Sequence, residues 1–199
     1  MHFCQAQLFL NQIFTALTRI LTLLILSLVM GTYSFGQKDT KDNKGTKVNK
    51  DSLLEPPYKR FPTIPPFDLI QTDSTHITRD NILKKHNTLI LFFSPDCSHC
   101  QHQTEDILAF IEKLKDVQIV MATSQSFEEM VGFSQKYQIG KYANIKMGRD
   151  SKFFLPPFFK MKNLPYLALY DKNGKLLTTF EGNQPMDKIL EAFDLKATN

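Results

Sequence analysis

Cysteine is scarce in this chain, and so is surplus charge. Only three of the 199 residues are cysteines, at positions 4, 97 and 100, which is too few for the disulfide framework of a small cysteine-rich domain. The formal net charge at pH 7 is only +4, and so mild and scattered a surplus argues against a nucleic-acid-binding protein. With 42% hydrophobic residues, the chain suits a single α/β domain with one core.

A long hydrophobic run is also missing. Arg19 is followed by eleven mostly apolar residues, Ile20–Met30, and then by small residues at Ser34 and Gly36. This order is typical of a signal peptide, so we predict a cleaved leader over residues 1–36 and a mature chain that begins at Gln37. Eleven helical residues span only about 16 Å of a hydrocarbon layer about 30 Å thick. We therefore expect a periplasmic or otherwise exported protein, with an uncleaved membrane anchor as the alternative.

Cys4 stands before this apolar run, so we predict that it leaves with the leader. Cys97 and Cys100 are then the only cysteines of the mature chain, and both lie in one motif. Such a pair favours redox activity over a structural disulfide, because so small a loop restrains little of the unfolded chain.

Residues 37–64 are polar, with few apolar side chains. A segment of this composition cannot form a core, so we predict a flexible linker here and a folded domain over residues 65–199. Its lysines are typical of a solvated run, and attraction to anionic lipid is the alternative. They are Lys38, Lys41, Lys44, Lys47 and Lys50.

The two cysteines follow an apolar run, Leu89–Phe93, which predicts a buried strand. Apolar residues then recur at helical spacing from Ile107 to Leu114 and predict a helix. Cys97 should therefore lie at a helix N-terminus, where unpaired N–H groups and the macrodipole favour a reactive thiolate. Cys100 lies one helical turn further on, where it can attack a mixed disulfide formed at Cys97.

The other segments predict strands and helices in α/β order. A short N-terminal hairpin is expected, with a first strand at Phe67–Gln71, a turn around Thr72–Ser74 and a second extended piece through Ile77. Val117–Ala122 predicts the buried strand that follows the cysteine helix. Ser126 and Glu129 have the spacing of a capping box and predict a helix to about Tyr137. Asn173 and Gly174 predict a tight turn between two further strands. We expect a mixed sheet of four or five strands flanked by helices, with an N-terminal β extension.

From Pro65 to Phe193 the chain resembles the thioredoxin-like superfamily, and within it the exported TlpA/ResA-type thiol-disulfide oxidoreductases. The resemblance is carried by the Cys97, Ser98, His99, Cys100 motif after a strand and by Leu164-Pro165 before another strand. It implies a thioredoxin-like fold, with Cys97 as nucleophile, Cys100 as resolving thiol and a redox disulfide between them. It also implies a monomer that acts on protein thiols and disulfides and has a membrane or soluble redox partner.

Two further site residues follow from the resemblance. In the resembled family the proline at the position of Pro165 is cis and packs against the cysteine pair. The backbone of the preceding residue, here Leu164, can then pair with an extended substrate segment. His99 stands where oxidising members of the superfamily carry histidine, and an imidazole there stabilises the Cys97 thiolate and raises the oxidising power of the disulfide.

The chain departs from the family pattern at two positions. Gln103 stands where TlpA/ResA-type proteins often carry a glutamate that accepts a proton, and Leu91 stands where thioredoxins carry a buried aspartate. Proton transfer at Cys100 is therefore expected to use water, His99, His102 or Glu105.

Metal and haem chemistry are the other readings of the motif. Four soft ligands lie within six residues, but neighbouring helical positions point apart and cannot close a tetrahedral shell. A two-cysteine Cu(I) site stays open, which makes a copper-delivery protein the alternative function. Gln101 excludes haem attachment, which needs histidine there, and Ile90 breaks the peroxiredoxin pattern. We otherwise expect no metal and no cofactor.

Four phenylalanines lie within Phe153–Phe159, just before Pro165. Such a cluster usually belongs to the core. The alternative is an apolar rim beside the cysteine pair that binds unfolded protein segments.

Overall fold

The computed structural model describes residues 55–195, which belong to a compact unit spanning residues 48–199. Its strands are β1 (Asp68–Ile70), β2 (His76–Thr78), β3 (Asn87–Phe92), β4 (Val117–Thr123), β5 (Ile145–Arg149), β6 (Tyr166–Tyr170) and β7 (Leu176–Glu181). Its α-helices are α1 (Pro57–Arg60), α2 (Ser98–Ala109), α3 (Phe127–Lys136), α4 (Leu155–Phe159) and α5 (Met186–Ala192). The predicted leader and most of the predicted linker lie outside the described residues.

The strands form one mixed sheet in the order β2-β1-β5-β4-β3-β6-β7. β3, β4 and β5 are parallel, as the βαβ order of the sequence predicts, and β6 and β7 are antiparallel additions. The α/β fold with a mixed sheet between helices is confirmed. The N-terminal hairpin joins the same sheet where Ile70 pairs with Arg149, so the described sheet has seven strands rather than four or five.

Two hydrophobic clusters cover the two faces of the sheet, because successive side chains of a strand point to opposite faces. Leu89 and Leu91 of β3 pack in one cluster with residues of α2, α3 and α5. Ile90 and Phe92 pack in the other with residues of α4 and of the N-terminal hairpin. The helix that carries the cysteines therefore lies on the opposite face from α4.

Local sequence signals explain where the helices begin. Ser126 and Glu129 form the predicted capping box, in which Ser126 Oγ accepts from the Glu129 N–H at 3.2 Å and Glu129 Oε2 accepts from the Ser126 N–H at 2.9 Å. The α-helix predicted to extend to Leu114 ends earlier. α2 stops at Ala109, and a 3₁₀ turn, Ile111–Leu114, continues to β4.

The predicted turn at Asn173 and Gly174 is present between β6 and β7. Asp171 Oδ1 accepts from the N–H groups of Asn173 and Lys175, each at 2.8 Å, and Gly174 has a left-handed backbone with φ +76. These backbone donors hold the pKa of the Asp171 carboxyl below its usual range.

The chain is packed before residue 65. Ile64 is buried, its N–H donates to the Gly174 carbonyl at 3.0 Å, and Thr63 forms a bridge with Lys175. The end of the segment predicted as linker therefore lies against the domain in the described structure.

Candidate active site

Cys97 stands at the N-terminus of α2, as predicted. It is the N-cap residue, with extended backbone angles of φ −78 and ψ 115. The N–H of Cys97 donates to the Ser94 carbonyl at 3.2 Å, which fixes the loop between β3 and the helix. The Cys97 thiol is half-buried and free, so it can be reached from solvent at the positive end of the helix dipole.

Cys100 differs from Cys97 in its surroundings. Its side chain is fully buried, and burial raises the pKa of this thiol to about 12. A backbone hydrogen bond from Ser94 lowers that pKa, whereas a hydrogen bond with Cys97 and the charge of Asp96 raise it further. The buried thiol of Cys100 therefore stays protonated near neutral pH, whereas the half-buried thiol of Cys97 can be reached from solvent.

A polar network supports the loop that precedes the cysteines. Ser94 Oγ donates to the Asp96 carboxylate, and Gln125 Nε2 donates to Ser94 Oγ at 3.3 Å. Arg149 Nε donates to the Gln125 carbonyl at 2.7 Å. The chain segments at the ends of β3, β4 and β5 are thus linked to one another by hydrogen bonds.

The Leu164-Pro165 peptide bond is cis. Pro165 comes directly before Tyr166, which pairs with Phe92 at the end of β3. The proline therefore lies at the sheet end from which the loop to Cys97 departs. Leu164 packs against the same hydrophobic cluster as Cys97.

The backbone of Leu164 is available for a further partner. Leu164 belongs to no strand, and within residues 55–195 neither its N–H nor its carbonyl forms a hydrogen bond. A free donor and acceptor at the start of an antiparallel strand are what an added strand would use.

The histidines predicted as proton acceptors do not face Cys100 together. His99 is exposed on the first turn of α2. His102 is also exposed and lies near Glu105 and Asp106, at 3.9 and 3.8 Å. The Tyr137 hydroxyl donates to Glu105 Oε1 at 3.2 Å. These carboxylates therefore point along the outer face of the helix.

The sequence reasoning missed Asp96. Its carboxylate adds a contribution that raises the pKa of the Cys100 thiol, smaller than those of burial and of Cys97. Its position directly before Cys97 was the signal that could have identified it, because a charge beside a thiol changes the cost of forming a thiolate.

Gln103 is fully buried, and both ends of its side-chain amide are used. Nε2 donates to the Gln184 carbonyl at 3.2 Å, and Oε1 accepts from the Gln184 N–H at 2.6 Å. The residue at the family's glutamate position therefore joins α2 to the loop before α5, and its amide cannot act as a proton acceptor for Cys100.

No group of three or more histidine, cysteine or acidic side chains within residues 55–195 is arranged to hold a metal ion.

The phenylalanine cluster belongs mostly to the core. Phe158 and Phe159 are buried, and Phe154 is partly buried. Phe153 is 58% exposed and lines a groove of about 830 Å³. No residue from Ser94 to Gln101 lines this groove, so Phe153 does not form a rim of the cysteine site.

The fold and the site together define a class of protein. Its members have an α/β fold, a pair of cysteines at a helix N-terminus and a cis proline at the same end of the sheet. Residues 78–197 match the family described as Thioredoxin-like domain, and this is well over half of the chain. The chain therefore belongs to that family, and the resemblance inferred from the sequence is confirmed.

Solved structures share the fold. MTB dsbF, described in mixed oxidized and reduced forms, is 18% identical with a TM-score of 0.56, and the match covers 65% of this chain and 96% of that one. StoA from Bacillus subtilis is 18% identical with a TM-score of 0.51, over 66% and 98% of the two chains.

A secreted Mycobacterium tuberculosis disulfide oxidoreductase homologous to E. coli DsbE is 14% identical with a TM-score of 0.54, over 64% and 93%. No curated protein sequence matches this chain.

Proposed function

We propose that this protein is an exported thiol-disulfide oxidoreductase that exchanges disulfides with protein substrates through Cys97 and Cys100. The observation that carries the proposal is the contrast between the two thiols. Cys97 is half-buried at a helix N-terminus, and Cys100 is fully buried one turn later with its pKa raised. The family and the solved structures support the same chemistry.

The exchange has two steps. The Cys97 thiolate attacks one sulfur of a substrate disulfide, which forms a mixed disulfide and releases the first substrate thiolate. Cys100 then loses its proton to solvent and attacks the Cys97 sulfur, which closes the Cys97–Cys100 disulfide and releases the second substrate thiolate. The substrate has gained two electrons and the protein has lost two. The same steps in reverse oxidise a substrate dithiol.

The backbone of Leu164 is the part of the protein that orients the substrate in this proposal. Its free N–H and carbonyl lie before β6, at the sheet end that leads to the cysteine loop. An extended substrate segment that pairs there would bring its own sulfur towards Cys97.

His99 is the residue that we expect to tune the reduction potential of the cysteine pair. It is exposed two residues after Cys97, at the positive end of α2, where Pro is the residue of reductant-type motifs. An imidazole here favours the thiolate and hence a more oxidising pair.

The test of function is disulfide exchange by the purified protein, with the trapped intermediate as its signature. Cys100→Ser should retain a mixed disulfide between Cys97 and a substrate protein, and Cys97→Ser should trap none. Absence of adducts with either variant, together with tight, competitor-resistant binding of Cu(I) to the reduced protein under anaerobic conditions, would replace this proposal with copper delivery.

Export is tested separately. The mass of the protein recovered from its native compartment should correspond to a chain that begins at Gln37. A full-length mass in the membrane fraction would show that the predicted leader is retained as an anchor. No helix within residues 55–195 is long and apolar enough to cross a membrane.

A further inference from the structure

Two grooves adjoin on the face of the sheet that α2 does not cover. The first, of about 830 Å³, is apolar and is lined by Phe61, Phe153 and Phe158 among others. The second, of about 660 Å³, is lined by Arg79, Lys84, Lys85 and Lys172 among others. Thr63, Ile64 and Arg79 line both, so the two grooves form one continuous surface, here called the double groove.

Exposed apolar side chains are concentrated along the double groove. Five large hydrophobic side chains within residues 55–195 are strongly exposed, and three of them line it, two in the first groove and one in the second. Phe61 is 59% exposed, Phe153 58% and Leu83 49%. Exposed apolar side chains gathered in one place mark a surface that binds a protein or a membrane.

The charge of the double groove favours an anionic partner. Five lysine and arginine side chains line it against two aspartates, a surplus of three positive charges. Asp68 is bonded to Lys152 at 2.9 Å and so is already neutralised. The remaining cations form no ion pair or side-chain hydrogen bond with another residue of the described chain. They are Arg79, Lys84, Lys85 and Lys172.

We propose that the double groove is a docking surface for the anionic headgroup region of a lipid bilayer. Phe61, Phe153 and Leu83 enter the interface, and the unpaired cations contact lipid phosphates. Aromatic and aliphatic side chains bordered by basic ones are the composition of surfaces that lie on membranes.

Two further observations favour a membrane over other anionic partners. Pro57 and Phe61 stand where the chain enters the described domain, and both line the groove. The sequence before them contains five lysines between residues 38 and 50 against two aspartates, a surplus of three positive charges that Asp51 and Glu55 then reduce to one. Lysines on both the segment and the domain would contact the same anionic surface.

The proposed contact leaves the cysteine site open. Ile64, Phe154 and Phe158 of the groove belong to the cluster on one face of the sheet, and Cys100 belongs to the cluster on the other. A domain that rests on lipid through the double groove would present Cys97 to proteins away from that contact. The inference does not depend on the redox chemistry, because it concerns a separate surface.

The absence of tryptophan from the chain allows a direct test. Phe153→Trp places a single fluorophore in the groove, and Phe127→Trp places one at an exposed position on α3, over the opposite face. The full chain is mixed with vesicles of phosphatidylcholine and phosphatidylglycerol that contain lipids brominated near the headgroup.

We expect the emission at position 153 to shift to the blue and to be quenched, while that at position 127 is unchanged. Because both variants contain the same N-terminal segment, attachment through that segment alone would affect the two positions alike. Equal quenching at both positions, or none at position 153, would overturn the proposal.

The charge component is tested in the Phe153→Trp background. The double variant Lys84→Glu, Lys172→Glu should need about ten times more lipid for half-maximal quenching, because each lysine near an anionic surface contributes severalfold in affinity. Lys113→Glu with Lys188→Glu makes the same change in charge on the other face and should have little effect. An equal loss of vesicle affinity in the two double variants would show that only the net charge of the protein matters. The proposal that the double groove is the docking surface would then be wrong.

Discussion

Gln103 and Gln184 are joined by two hydrogen bonds although 81 positions separate them along the chain. The amide of Gln103 donates to the Gln184 carbonyl and accepts from the Gln184 N–H, at 3.2 and 2.6 Å. Only an amide, or a protonated acid, offers a donor and an acceptor side by side. The helix that carries the cysteines is thereby fixed to the loop before α5 by a neutral group.

Gln103→Glu should therefore destabilise the protein in a pH-dependent way. Burial and the facing Gln184 carbonyl would raise the pKa of the new carboxyl above its unfolded value of about 4.3. Stability should be retained below that pH and lost as pH rises through the folded pKa, by about 1–3 kcal/mol near neutrality.

The measurement is urea unfolding of wild type and variant at several pH values. Gln135→Glu, on the exposed side of α3, is the control and should show no such trend. If the free energies of unfolding of wild type and Gln103→Glu differ by the same amount at every pH, the double hydrogen bond tolerates the carboxylate.

The two cysteines should alkylate at different rates. Cys97 is half-buried, whereas Cys100 has no exposed surface, so iodoacetamide should modify Cys97 first in the reduced native protein. Peptide mass analysis at short times measures both rates. In denaturant the two rates should converge. Equal rates in the native state would contradict the described burial.

The reduced protein should lose stability above about pH 9 because of Cys100. Its pKa is raised from 9.0 to about 12 by burial. The unfolded thiol ionises first as pH rises, so this contribution to stability is complete below about pH 9 and is lost towards about pH 12.

Between about pH 8 and about pH 10.5, ionisation of the Cys100 thiol should lower the free energy of unfolding by about 2 kcal/mol. Urea unfolding in the presence of a reductant should show that loss in wild type beyond any loss in Cys100→Ser, whose hydroxyl does not ionise. Parallel pH profiles would mean that Cys100 ionises as readily in the folded protein as in the unfolded chain.

His99→Pro should make the pair more reducing. If the imidazole stabilises the Cys97 thiolate by about 1.4 kcal/mol, its loss lowers the two-electron potential by roughly 30 mV. Proline is tolerated here because position 99 lies in the first turn of α2. Equilibration with glutathione buffers measures the potential.

His102→Ala is the matched control, since that histidine is exposed on the same helix near Glu105 and Asp106. Its potential should equal that of wild type. If His99→Pro also leaves the potential unchanged, the assignment of His99 to the redox poise is wrong.

Gly148 and Gly132 should respond in opposite directions to alanine. A Cβ at Gly148 would lie 2.8 Å from Leu69 Cβ and 3.3 Å from the Ile70 carbonyl oxygen, so β1 would have to move away from β5. We expect a loss of about 1–3 kcal/mol in unfolding free energy.

Gly132 lies within α3, and a Cβ there meets nothing within 4 Å. Gly132→Ala should stabilise the protein by about 0.5–1 kcal/mol through helix propensity. Thermal and urea unfolding of both variants measure the two effects. Stabilisation by Gly148→Ala would show that the hairpin is not packed against β5.

The fold was largely predictable from the sequence because its signals are local. The apolar run before Cys97, the capping box at Ser126 and the turn at Gly174 each depend on residues within a few positions of one another. Their order along the chain then restricted the sheet to parallel strands with an antiparallel end. The junction of the N-terminal hairpin with β5 was not predictable, since it depends on the pairing of Ile70 with Arg149.

The sequence alone determined the motif, the strand and helix around it, the proline at position 165 and the absence of a family glutamate at position 103. Only the tertiary structure decided what surrounds Cys100 and what Gln103 contacts. The burial that raises the pKa of Cys100, and the charge of Asp96 that adds to it, arise where β3, α2 and the following loops meet. Likewise, the exposed phenylalanines and unpaired lysines of the double groove come from distant segments, which only folding brings to one face.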